Sequence, residues 1–83
     1  MDTGELKDRL GRILAEEEAD RPVDWLEVER MSDDLMGELK VPVPLIVDEY
    51  LRGSERRRQD GVFGNAQRVQ LLQYLKASGT PML

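Results

Sequence analysis

The sequence contains neither cysteine nor histidine. Without cysteine the chain has no disulfide and no thiolate ligand for a metal ion. Without histidine it lacks the commonest general base and a frequent ligand of transition metals. Carboxylates, hydroxyls, lysines and arginines remain, and none of them stands in the pattern of an ordinary active site. The sequence therefore predicts a protein that is not an enzyme, with no cofactor, no catalytic residue and no metal ligand.

Long apolar segments are also missing. The longest strongly apolar stretch, residues 41–47, contains two prolines and is far shorter than the roughly 20 residues that span a membrane. The N-terminus has no basic region followed by an apolar run, so no secretory signal and no contact with a membrane are expected. With neither signal nor cysteine, the cytoplasm is the expected location.

The composition is that of a small globular domain. The chain has 83 residues, of which 40% are hydrophobic and 35% are charged, and we expect one helical domain over residues 1–83. A domain of this size buries only about 60–65% of the surface of its unfolded chain. Its stability must therefore come from helix packing, from a second copy or from a partner.

The net charge of −5 is unevenly distributed along the sequence. Residues 1–40 contain six Lys and Arg against thirteen Asp and Glu, whereas residues 41–83 contain six against four. The acidic cluster Glu16, Glu17, Glu18 and Asp20 can pair with the arginines at positions 56–58, within one molecule or between two. The alternative is that both clusters are solvated and unpaired.

Hydrophobic periodicity predicts a first helix from about Thr3 to Glu18. Asp2 followed three residues later by Glu5 has the spacing of a capping box at its start. One apolar stripe follows the helical repeat and comprises Leu6, Leu10, Ile13 and Leu14.

The second helical segment has the strongest start signal in the chain. Asp24 and Glu27 have capping-box spacing, and helical periodicity continues from Trp25 to about Lys40. Ser32 with the two aspartates that follow is itself a good helix start. Residues 24–40 therefore form either one helix or two short helices bent near Met31.

Two prolines make residues 41–44 a stiff connector, and Pro44 can begin the next helix. That helix carries an apolar face and an arginine-rich end that continues through residues 56–58. Asp60 and Gly61 are typical of a turn. The last helix starts near Asn65 and ends before Gly79 and Pro81. We expect its core face to comprise Ala66, Val69, Leu72 and Leu75, widened by Leu71 and Tyr74.

No segment alternates with the period of a strand, so the predicted fold is all-α, a compact bundle of four to five short helices. A helix-turn-helix unit over residues 32–51 is resembled by the spacing of Ser32, Leu35, Met36, Leu39, Val41 and Ile46. That resemblance, with arginines from residues 52–58, implies a DNA-binding regulator as the alternative function. Asp48 and Glu49 on the second helix would face phosphate, so nucleic acid is not the expected partner.

Asp34 and Glu38 share a helix face, where carboxylates with a nearby Asp33 can hold a hydrated magnesium ion. The favoured interpretation is a solvated helix surface.

The expected function is therefore a non-catalytic protein-interaction module, a small regulator, adaptor or accessory subunit that binds another protein or a second copy of itself. Adjacent Trp25 and Leu26 cannot both face one core, and the last helix is apolar over a wide arc. The candidate partner-binding residues are Trp25, Leu71, Tyr74, Arg56, Arg57 and Arg58.

Overall fold

The structure, a computed structural model, describes residues 2–40 and 42–77. Within them the chain forms five helices and no strand: α1 (Thr3–Glu18), α2 (Trp25–Glu38), α3 (Leu45–Arg52), α4 (Ser54–Gln59) and α5 (Gly61–Ala77). The all-α prediction is thus confirmed. Contacts between Cα atoms divide the chain into two compact units, Met1–Val43 and Pro44–Leu83. The expectation of one domain over the whole chain stays a prediction.

The first unit consists of α1 packed against α2. Helix α1 has the predicted bounds, and the Asp2 carboxylate accepts a hydrogen bond from the Glu5 amide at 2.8 Å. This bond satisfies one of the free N–H groups of the first turn. The predicted apolar stripe of α1 is buried, and so are Val28, Ser32 and Leu35 of α2.

Helix α2 runs without interruption from Trp25 to Glu38, which settles the choice between one helix and two. Its start is capped as the sequence predicts, because the Asp24 carboxylate accepts from the Glu27 amide at 3.1 Å. Ser32 is only 1% exposed in the middle of this helix. Ser32 therefore belongs to the buried face of α2 and does not begin a second helix.

The second unit contains α3, α4 and α5. The prediction of one helix from Pro44 through the arginine run is wrong, because α3 ends at Arg52 and α4 begins at Ser54. Gly53 separates them with a φ of −99° and a ψ of 9°. A Cβ atom at Gly53 would lie 2.6 Å from the Gln67 Oε1 atom and 3.2 Å from the Arg57 Nη1 atom. The chain therefore leaves α3 at a residue where two polar side chains approach the backbone so closely that there is no room for a Cβ atom.

Helix α5 begins at Gly61, four residues before the predicted start near Asn65. The Asp60 carboxylate accepts from the amides of Val62 and Phe63, both at 3.1 Å, so Asp60 caps a helix where a turn was predicted. The predicted stop at Gly79 and Pro81 lies outside the described residues.

The predicted core face of α5 is wrong in its first half. Ala66 is exposed and Val69 is 47% exposed, while the buried positions are Gly64, Gln67 and Leu71. A Cβ atom at Gly64 would lie 3.2 Å from the Arg57 carbonyl oxygen, so the absence of one allows α5 to approach α4 closely. Leu72 and Leu75 are half-buried at the edges of the buried face.

Six residues separate the end of α2 at Glu38 from the start of α3 at Leu45. A helix-turn-helix unit usually joins its helices by about three to four residues. Residues 32–51 include parts of both compact units, and their resemblance to that motif stays a prediction. Among the described residues, no helix combines the length and the apolar character needed to cross a membrane.

Candidate interaction surface

Arg57 is a core residue of the second unit, with only 2% of its surface exposed. Its guanidinium donates to the Tyr50 carbonyl oxygen at 2.5 Å and to the Gln67 Oε1 atom at 2.7 Å. It also stacks on the Tyr50 ring, with its central carbon 3.9 Å from the ring centroid. The Gln67 amide in turn donates to the Glu49 carbonyl oxygen at 3.2 Å. A charged residue thus joins α3, α4 and α5, and in this conformation it offers no surface to a partner.

The other two arginines of the run are exposed and point to different neighbours. The Arg56 guanidinium lies over the Phe63 ring, 4.1 Å from its centroid. Arg58 forms an ion pair with Glu55 at 3.5 Å. The run at positions 56–58 is therefore not one basic patch, because one of its three charges is buried, one stacks on a ring and one faces a carboxylate.

Two open grooves are lined by arginines. The first, of about 340 Å³, lies in the second unit beside Arg56 and Phe63, and Glu49, Arg52, Gly53 and Gln67 complete its lining. The second, of about 180 Å³, lies between α1 and α2 and is lined by Arg9, Arg12, Ile13, Arg30, Met31 and Asp34. Each groove contains both charge signs, so neither selects a ligand of one sign.

The acidic residues of the first unit have basic neighbours of their own. Glu16 pairs with Arg21 at 2.7 Å, and the hydrogen bond from Arg21 holds the pKa of Glu16 below its ordinary value. Glu38 pairs with Arg9 at 2.7 Å, and Asp34 pairs with Arg30 at 2.9 Å. Among the described residues no group of three potential ligands is arranged to hold a metal ion. The predicted pairing between the acidic cluster and the arginines of positions 56–58 stays a prediction.

The predicted apolar contact residues lie at different depths. Trp25, the first residue of α2, is half-buried, whereas the neighbouring Leu26 is 81% exposed. On α5, Leu71 is fully buried and Tyr74 is half-buried. Leu71 belongs to the core and presents nothing to a partner in this conformation. The predicted residues that retain exposed surface are Trp25, Tyr74, Arg56 and Arg58.

The most unusual surface of the chain is the exposed side of α5. We call it the uncharged face, and it comprises Val62, Asn65, Ala66, Val69, Gln70 and Gln73. At 3.6 residues per turn these positions fall within an arc of roughly 140° on the side opposite Leu71, and the exposed Lys76 continues the same arc at its C-terminal end. At the average charge content of 35%, about two of these seven positions would carry a charge, and Lys76 alone does. Val62 is 82% exposed and Val69 is 47% exposed, so this face combines apolar side chains with uncharged amides.

The exposed sides of α1 and α2, the helices of the first unit, carry more charge than the exposed side of α5. Four of the seven exposed residues of α1 are charged, and so are five of the seven exposed residues of α2. Of the eight described residues of α5 that are exposed, Lys76 alone is charged. The sequence contains this signal, since Val62, Ala66 and Val69 have helical spacing. Sequence reasoning missed it because Ala66 and Val69 were assigned to the core.

No protein-family model, no curated protein and no solved structure matches this chain.

Proposed function

We propose that this chain is a non-catalytic interaction module, a small regulator, adaptor or accessory subunit that binds a protein through the uncharged face of α5. One observation carries the proposal: six exposed positions between Val62 and Gln73 share one side of α5 without a charge, and Lys76 bounds them at the C-terminal end, in a chain of which 35% is charged. The cores of protein interfaces are depleted in charged residues in the same way.

The physical basis is the difference in desolvation. Covering apolar surface gains about 25 cal/mol per Å², whereas covering a charge costs free energy unless the partner compensates it. Val62 at 82% exposure and Val69 at 47% provide the apolar surface. The amides of Asn65, Gln70 and Gln73 can exchange hydrogen bonds with water for hydrogen bonds with a partner.

The inventory of side chains supports a function without catalysis. The chain has no histidine and no cysteine, and the carboxylates of Asp34 and Glu38 each face an arginine at less than 3 Å. No observation favours DNA binding, because the arginine run has one member in the core and another beside a carboxylate. We therefore propose the interaction module as the function, and the cytoplasm as its location.

The test is a comparison of three tagged chains expressed in the cells from which the sequence comes. The first is the wild type, the second carries Val62→Lys and Val69→Lys, and the third carries Leu26→Lys. Leu26 is a matched control because it is an aliphatic helix residue with 81% exposure, against 82% for Val62. Circular dichroism of each purified chain verifies that the helices are intact.

We expect the wild type and the Leu26→Lys chain to retain the same protein, or the same second copy, and the double variant to lose it. If the double variant keeps every partner of the wild type, the uncharged face is not the contact surface and the proposal fails. If the Leu26→Lys chain alone loses the partner, the contact lies on α2 and the proposal fails as well.

A further inference from the structure

We infer that the groove beside Arg56 binds an acidic side chain, aspartate or glutamate, of the protein that covers the uncharged face. This inference rests on the proposed function and names the chemistry that the partner brings. The groove lies in the second unit, and residues of α3, α4 and α5 line it together with Gly53.

The Arg56 guanidinium has no hydrogen-bond acceptor among the residues that the structure describes. Its neighbour is the Phe63 ring, whose centroid lies 4.1 Å away. Six other arginines each form an ion pair with a carboxylate, namely Arg9, Arg12, Arg21, Arg30, Arg52 and Arg58. A guanidinium carries five N–H donors and can bind a carboxylate through two of them at once. The donors of Arg56 are therefore available for an acceptor that belongs to another molecule.

The Phe63 ring prepares Arg56 for binding. The contact with the ring restricts a long side chain before any ligand arrives, while Arg56 stays exposed. Ordering a flexible side chain opposes binding, so a side chain that is ordered in advance binds more tightly. Arg52 lines the same groove and uses its Nε atom for the bond to Asp48, which leaves its terminal nitrogens as further donors.

The negative charges of the groove favour a carboxylate over a phosphate. Glu49 belongs to the lining, and Asp48 accepts from Arg52, so the groove does not select an anion by net charge. A phosphate group carries about −1.5 to −2 charges, and Glu49 would repel it more strongly than it repels a carboxylate with a single charge. Selection then depends on the fork of the Arg56 guanidinium, which matches the two oxygens of a carboxylate.

The shape of the groove favours a side chain of a protein over a small molecule. Sites for small molecules usually have about 300–1,000 Å³ and bury roughly 70–90% of the ligand surface. This groove has about 340 Å³ and is open to solvent, so a small acid would remain largely hydrated there. A side chain that enters the groove is also held by the other contacts of its own protein.

The groove borders the uncharged face. Residues three and four positions apart are neighbours on a helix surface, so Phe63 adjoins both Ala66 of that face and Gln67 of the groove. A stable interface involves about 20–30 residues of each partner, which is many more than the six positions of the uncharged face. A partner that covers this face stably must extend over neighbouring surface, where its acidic residue would reach Arg56.

The test begins with a phage-displayed library of random peptides, which is selected on the whole wild-type chain and on two variants. Arg56→Gln removes the proposed contact. Arg58→Gln is the matched control, because Arg58 is an exposed arginine of the same helix that already faces Glu55. Circular dichroism verifies that each chain keeps its helices. We expect peptides bound to the wild type and to Arg58→Gln to share an aspartate or glutamate beside aliphatic residues, and those bound to Arg56→Gln to lack it.

A double-mutant cycle then measures the contact itself. The strongest selected peptide is compared with one copy that has the corresponding amide in place of the acid and one that has phosphoserine there. On the wild type the amide should raise the dissociation constant about tenfold, the lower end of what a hydrogen bond to a charged group contributes. On Arg56→Gln the same replacement should change it by less than about twofold. The phosphoserine peptide should bind the wild type more weakly than the acidic peptide.

Three results would each overturn the inference: no shared acid among the peptides bound to the wild type, an equal effect of the amide on both chains, or tighter binding of the phosphoserine peptide. The proposed function is separated from the inference by the partner that the tagged chains retain in cells. If Val62→Lys with Val69→Lys loses that partner and Arg56→Gln keeps it, the proposed function stands and the inference fails. Loss of the partner by both chains would support both.

Discussion

Replacing the buried Arg57 with alanine should destabilise the second unit severely. The substitution removes the hydrogen bond to the Gln67 Oε1 atom and one of the bonds to the Tyr50 carbonyl oxygen, which still accepts from the Gly53 amide at 3.2 Å. A buried acceptor left unsatisfied costs about 1–3 kcal/mol, and the lost stacking on the Tyr50 ring adds about 1 kcal/mol. We therefore expect Arg57→Ala to cost about 2–4 kcal/mol.

The size of this loss matters because the total is small. A chain of 83 residues has a free energy of unfolding of about 4–12 kcal/mol at the usual 0.05–0.15 kcal/mol per residue. The assay is urea denaturation followed by helical circular dichroism. Arg58→Ala is the control, because Arg58 is the neighbouring arginine and is exposed. It should change the free energy of unfolding by about 0.5 kcal/mol or less. A loss below about 1 kcal/mol for Arg57→Ala would refute the reasoning.

Two further predictions concern glycine and pH. Gly53→Ala should lower the free energy of unfolding by about 1–3 kcal/mol, because the added Cβ atom would lie 2.6 Å from the Gln67 Oε1 atom. At Gly11 an added Cβ atom would meet no atom within 4 Å, so Gly11→Ala should stabilise α1 by up to about 1 kcal/mol. Equal effects in urea denaturation would contradict both. The hydrogen bond from Arg9 lowers the pKa of Glu38 in the folded chain. The stabilisation from this pair is therefore complete above the ordinary glutamate pKa of about 4.3, and it is lost as the pH falls through the lowered pKa. The urea midpoint should therefore fall as the pH drops below about 4.3, and Arg9→Gln should flatten that fall. An unchanged slope would show that the pair does not contribute.

The first unit could be predicted from the sequence because its signals are local. Asp2 and Asp24 each cap a helix three residues before a glutamate, and both bonds form in the structure. The apolar stripe of α1 follows the helical repeat without interruption and is buried. Local signals did not decide whether α2 bends near Met31, because Ser32 also has the sequence of a helix start. In the structure the Ser32 side chain is buried in the middle of α2 and caps no second helix.

The second unit could not be predicted as well, because its core contains polar residues. Periodicity counts Arg57 and Gln67 as surface residues, yet they are 2% and 7% exposed and bond to each other. Their burial displaces Ala66 and Val69 to the outside of α5. A core built on a guanidinium and an amide cannot be recognised from hydrophobic spacing, and its partners lie up to 18 residues apart in the sequence.

The same polar core explains why some of the predicted contact residues are buried. Once Arg57 and Leu71 are placed in the core, the surface that remains on α5 is the side opposite to the one predicted. The broader expectation of an apolar contact face on the last helix stays a prediction, and the residues that we propose for it are different ones.

The most direct test of the central claim places a photo-crosslinking amino acid at Ala66, in the middle of the uncharged face, and separately at Ala15 of α1. Both alanines are exposed helix residues, so the two positions are matched in access. After irradiation in the native cells, we expect a discrete cross-linked product from position 66, either with a second copy or with another protein, and none of comparable yield from position 15. Equal products from both positions, or a product from position 15 alone, would contradict it.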